Sequence, residues 1–96
     1  MEPTPADVLG VITGLPTGIG ELGLTVAALH GSEPTDSELP VGQRLASVGL
    51  SLSALQKVID QLVRDGQVRE VRGRELWDLG LPTQGTKATG RYYLRP

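Results

Sequence analysis

Few residues of this chain have the type and spacing to do covalent chemistry. His30 is the one histidine, there is no cysteine, and no serine sits in a G-x-S-x-G elbow. No carboxylates join His30 at metal-ligand spacing, and no two acids pair as an acid–base couple. His30 falls beside a predicted helix end, where the terminal carbonyls account for it. One motif points to a cofactor: Gly18-Ile19-Gly20-Glu21-Leu22-Gly23 spells G-x-G-x-x-G between an apolar stretch and a helical pattern. A dinucleotide site needs a βαβ unit of about 30 residues, with an acid near the end of its second strand. The segment that follows, "HGSEPTDSELP", is polar and carries no strand, and Gly23 falls inside the helix. With 13 glycines in the chain a chance match is easy. No catalytic residue, cofactor-binding residue or metal ligand is therefore expected. The chain reads as a binding protein, not an enzyme.

Charge is the stronger signal. The net charge of −2 hides an asymmetry between the two halves. Residues 1–40 carry six acids (Glu2, Asp7, Glu21, Glu33, Asp36, Glu38) and no Lys or Arg; residues 41–96 carry nine bases against five acids, a surplus of +4. Such an imbalance suggests an acidic arm beside a basic surface. The only aromatics are Trp77, Tyr92 and Tyr93, so any core is aliphatic. Without cysteine there is no disulfide framework. The first thirty residues lack the basic start and apolar run of a signal peptide, and no stretch approaches the roughly 20 apolar residues of a membrane span. A cytoplasmic location and no membrane partner are expected. The chain's 96 residues suffice for one small domain, read as a frayed start at 1–5 and a single unit at 6–96.

The elements that must position a binding surface follow from periodicity. "ADVLGVITG" predicts a short helix, capped by Asp7 or by Thr4 with Pro5 at its first position, although its β-branched residues also suit a strand. In "ELGLTVAALHG", Leu22, Val26 and Leu29 recur at helical spacing and Gly31 is a stop. In "PVGQRLASVG", Pro40 opens a helix whose apolar face is Val41, Leu45 and Val48. Over 52–65, Leu52, Leu55, Val58, Ile59 and Leu62 form a broad stripe. Ser51 or Ser53 caps it, and Ser53 with Gln56 spells a capping box. "QVREVRG" and "GRYYLRP" predict two strands, with Tyr92 and Leu94 on one face, separated by a long loop rich in Gly, Thr and Pro. The sections are an acidic helical part at 6–39, two helices joined by a Gly-containing turn at 40–65, and a hairpin at 66–96.

Two helices joined by such a turn make a helix-turn-helix, and a hairpin straight after gives its winged form. Over about 40–96 the sequence resembles the winged helix-turn-helix family, especially its small bacterial and archaeal regulators. The resemblance rests on Gly49-Leu50-Ser51, on Ser53, Leu55, Lys57, Val58, Asp60 and Leu62, on Asp65-Gly66-Gln67-Val68, and on Gly90-Arg91-Tyr92-Tyr93-Leu94. It implies an α+β fold of three or four helices with a C-terminal β-hairpin wing, and a sequence-specific DNA-binding protein that regulates transcription. Helix 52–65 would then enter the major groove of double-stranded DNA, with the wing on the backbone.

The resemblance carries base contact to Ser51, Ser53, Ala54, Gln56, Lys57 and Gln61. Glutamine suits adenine, lysine suits guanine, and serine suits base or phosphate. The phosphate partners would be Arg44, Arg64, Arg69, Arg72, Arg74, Lys87 and Arg91. Arg69, Arg72 and Arg74 equally have Glu70, Glu75 and Asp78 within reach as ion-pair partners. Asp60 and Asp65 would repel phosphates if they faced them. The family's regulators bind mostly as dimers, for which residues 6–30 offer a face. A second reading is a winged-helix module that binds protein, within a larger nucleic-acid machine, through the acidic half and the long wing. On it Trp77 is a partner contact; otherwise Trp77 closes the wing against the core.

Overall fold

The computed structural model describes residues 2–32, 38–81, 83 and 86–96. The chain is α+β: α1 (Pro5–Val11), α2 (Ile19–Leu29), α3 (Val41–Ser47), α4 (Leu52–Arg64), β1 (Arg69–Arg72), α5 (Gly73–Asp78) and β2 (Arg91–Leu94). Caps set the helix starts. Thr4 accepts the Asp7 N–H at 3.1 Å, and Pro5 opens α1. Ser51 caps α4 by accepting the Ala54 N–H at 3.4 Å. Ser53 lies inside the first turn and bonds the Ser51 hydroxyl at 2.9 Å, so the Ser53–Gln56 capping box does not form. Gly49 (φ +81°) and Gly66 (φ +76°) close α3 and α4 in the left-handed region that favours glycine.

The main core joins α1, α2, α4 and the sheet: Val8, Ile12, Leu22, Val26, Leu55, Ile59, Leu62, Val68 and Tyr93. A second cluster, Ala27, Leu45 and Leu50, seats α3 on α2. The buried edge of α2 is Leu22, Gly23, Val26 and Ala27. Leu29, expected on that face, is instead 60% exposed, because the buried stripe follows the pairs 22/23 and 26/27. His30 also departs from expectation. Its ring, not the helix carbonyls, finds a partner: Nε2 lies 2.8 Å from Asp7 Oδ2 and ties the end of α2 to the start of α1. This contact, with Thr4, holds the Asp7 carboxyl below its ordinary value. At the other end of α1, Arg95 donates to the Leu9 and Ile12 carbonyls at 2.8 Å each, a cation on a helix C-terminus.

β1 and β2 pair antiparallel, Arg69 opposite Leu94 and Arg72 opposite Arg91. Thr17 extends β2 on its free side through a bridge to Tyr93. The sheet turns Tyr93 into the main core and Val71, Tyr92 and Leu94 to the other side. Leu76 and Leu81 cover that second side. Leu76 belongs to α5, in the segment read from sequence as a loop. "GRELWD" is too short to show helical periodicity. It forms because Gly73 and Arg74 continue the hairpin's hydrogen bonds, to Gly90 and Ala88, and because Glu75 accepts the Arg72 N–H at 3.2 Å.

The glycines of the G-x-G-x-x-G run serve packing. Gly18 is the N-cap of α2, and Gly20 and Gly23 let α3 approach. A Cβ on Gly23 would lie 2.6 Å from Leu45 Cδ1 and 3.3 Å from Leu55 Cδ2, whereas one on Gly10 would meet nothing within 4 Å. Gly10→Ala is therefore expected to stabilise the fold by about 0.5–1 kcal/mol, the ordinary cost of a helical glycine. Gly23→Ala gains the same backbone term but overpacks a site closed by buried side chains, at about 1–3 kcal/mol, for a net loss of up to about 2.5 kcal/mol. Urea titrations followed by far-ultraviolet circular dichroism check both; a more stable Gly23→Ala would mean that Leu45 yields freely.

Candidate nucleic-acid interface

The faces of α4 separate cleanly. Leu55, Ile59 and Leu62 are buried, while Ser53, Lys57, Gln61 and Arg64 are exposed. Their spacing of four, four and three residues places them in one stripe along the helix, opposite the buried side. Ser51 extends the stripe at its N-terminal end. Ala54 and Val58 lie on one border, half-buried, and Gln56 and Asp60 on the other, next to the sheet.

On that border the structure brings together residues distant in sequence. Gln56 Nε2 donates to Asp60 Oδ1 at 2.9 Å and to the Tyr93 hydroxyl at 3.1 Å. One turn further on, Gln61 Nε2 donates to Asp65 Oδ1 at 3.0 Å. Asp60 and the C-cap Asp65 are thus each tied to a glutamine four residues before them, a spacing that favours such bonds. The spacing of four residues is the signal that could have shown the Gln–Asp ties, which were not read from the sequence. The Tyr93 contact has no such signal, since it spans 37 positions.

Tyr93 shares its face of the sheet with Glu70, Arg72 and Arg91, and its hydroxyl meets the second turn of α4 at Gln56. Arg72 and Arg91 stand directly opposite each other, a like-charge pair that costs stability in a ladder. Arg72 Nη1 reaches the Thr89 carbonyl at 3.4 Å, and Arg91 Nε lies 3.7 Å from Glu70 Oε1. Among the described residues, Arg91 is the only Lys or Arg in an ion pair. Lys57, Arg64, Arg69, Arg74 and Lys87 are exposed, and Glu75 takes the Arg72 backbone rather than a guanidinium. Arg44, on α3, is half-buried, with Nε enclosed and unbonded.

Trp77 does not close the hairpin against the core. It projects from α5, 75% exposed, because Leu76 takes the inward position. The acidic helices α1 and α2 pack on the buried face of α4, away from its exposed stripe. A cleft of about 550 Å³ beside the start of α2 is flanked by Glu21 and Lys87, side chains of opposite charge. No helix among the described residues is long and apolar enough to cross a membrane. Comparisons with protein-family models, with curated proteins and with solved structures found no match to this chain.

Burial raises the Tyr93 phenol above its ordinary value; the Gln56 hydrogen bond and Arg91 oppose the rise, and Glu70 and Asp60 add to it. The folded state therefore keeps its proton when the unfolded chain, ionising near pH 10, has begun to lose it. The stability Tyr93 contributes this way is fully present below that pH and is lost as pH rises through the raised value. Above about pH 10, stability is expected to fall less steeply in Tyr93→Phe than in the parent chain. Equal slopes in urea titrations across that range would refute the assignment.

Proposed function

We propose that the chain is a winged helix-turn-helix protein that binds double-stranded DNA sequence-specifically and regulates transcription. The element order supports this reading: α3, a Gly49 turn, α4, and a hairpin whose sheet packs beside α4. The observation that carries it is the contrast in charge pairing. The exposed stripe of α4 and the sheet beside it collect cations that, Arg91 apart, form no ion pair among the described residues. Asp60 of α4 and its C-cap Asp65 are meanwhile engaged by glutamine amides.

In this mechanism α4 enters the major groove. Lys57 donates to the O6 and N7 acceptors of guanine, and Ser51, Ser53 and Gln61 contact base edges or backbone nearby. Arg72 and Arg91 take phosphates across the groove edge, which relieves their mutual repulsion. Arg64, Arg69, Arg74 and Lys87 add sequence-independent attraction, and Arg44 reaches the backbone from α3. The anisotropy of labelled mixed-sequence duplex, titrated from low to physiological salt, tests this. Affinity is expected to fall steeply with salt, and Arg91→Ala to reduce the log–log slope by about 1. Lys57→Ala is expected to weaken binding and relax base preference. Absence of binding at low salt would reject the reading.

The exposure of Trp77 favours a second reading, a winged-helix module that binds a protein partner. On that reading Trp77→Ala abolishes partner binding and leaves the circular dichroism spectrum unchanged. Unaltered partner affinity would count against it.

A further inference from the structure

Glutamine on a DNA-reading helix ordinarily recognises adenine with both halves of its amide. The nitrogen donates to N7, and the oxygen accepts from the N6 amino group. Gln56 is not free to do so. Its nitrogen carries two hydrogens, and the structure gives each a partner: Asp60 Oδ1 at 2.9 Å and the Tyr93 hydroxyl at 3.1 Å. The orientation of the amide follows from chemistry, because a carboxylate only accepts and the atom facing Asp60 must be the donor. What remains is Oε1. It has no hydrogen bond among the described residues and is not sealed from solvent, since the enclosed, unbonded side-chain atom among these residues is Arg44 Nε.

The major-groove edges divide on this point. Adenine and cytosine each present an amino group that an acceptor can bind. Guanine presents only acceptors there, and thymine an acceptor and a methyl group. Resting on the DNA-binding reading above, we propose that Gln56 is an acceptor-only reader, which admits adenine and cytosine alike at one position and rejects guanine and thymine. Asp60 and Tyr93 are the positioning residues that make it so. Neither touches the base; each withholds one hydrogen from it. Tyr93 does this from the sheet, so packing of the sheet against α4 sets the base preference of the helix.

The test begins with selection of bound duplexes from a randomised pool by the parent chain and by Gln56→Ala. The position whose preference changes is the one Gln56 reads. Four duplexes differing only there are then compared by anisotropy. Adenine and cytosine are expected to bind within about threefold of each other, and guanine and thymine about tenfold or more weaker, the usual scale of one mismatched pair. Asp60→Ala and Tyr93→Phe, singly and together, free amide hydrogens and are expected to favour adenine over cytosine by about fivefold or more. Circular dichroism verifies that each variant is folded, and the comparison of the parent with Gln56→Ala stands without them. A Gln56-dependent preference for adenine over cytosine in the parent would overturn the inference, as would selection in which no position depends on Gln56. In both cases duplex is still bound, so the DNA-binding reading survives. Failure to bind any duplex at low salt rejects that reading and this inference together.

Discussion

Tyr93 is held in three ways. Its ring lies among aliphatic side chains of α1, α2 and α4, its backbone exchanges two hydrogen bonds with Thr17 at 2.9 and 3.0 Å, and its hydroxyl accepts from Gln56. In a chain with only three aromatic residues, this one fixes the distance between sheet and helices. The loop before α2 keeps its place through the Thr17 bridge, and Gln56 its orientation through the hydroxyl. A phenol suits this position because its apolar body fills the core while its polar tip finds a partner at the edge.

The parts legible in the sequence were those with local causes. The apolar stripe of α4, its serine cap (Ser51 of the two candidates) and Gly66 stop, and the sharing of a face by Tyr92 and Leu94 all depend on neighbours a few residues away. The α5 helix was not legible, because six residues give too little periodicity and its formation depends on Gly90 and Ala88 across the hairpin. Trp77 illustrates the same limit. A large apolar residue is ordinarily assigned to a core, but here Leu76 beside it takes the inward place against Val71 and Leu94. Of the candidate interface, the exposed stripe could be read from spacing alone. The inward commitment of Gln56 could not, because its partner arrives from the last strand.

The charge asymmetry along the chain has a structural counterpart that differs from a detached acidic arm. Asp7 belongs to α1 and Glu21 to α2, helices packed on the inner side of α4. Arg95, from the basic half, crosses back to cap α1. Asp7 and Glu21 are thus built into the scaffold behind the exposed stripe, and the two halves fold as one unit.

Trp77 also decides how the molecule will look to a spectrometer. It is the sole tryptophan, and most of its indole already faces water in the folded chain. Its emission will therefore change little when the core melts, so a fluorescence-monitored unfolding curve would understate a transition that the helices report in full. The same isolation gives α5 a built-in optical probe. Anything that lands on the outer side of the hairpin will shift that emission without an added label, while occupancy of the distant α1–α2 side leaves it unchanged.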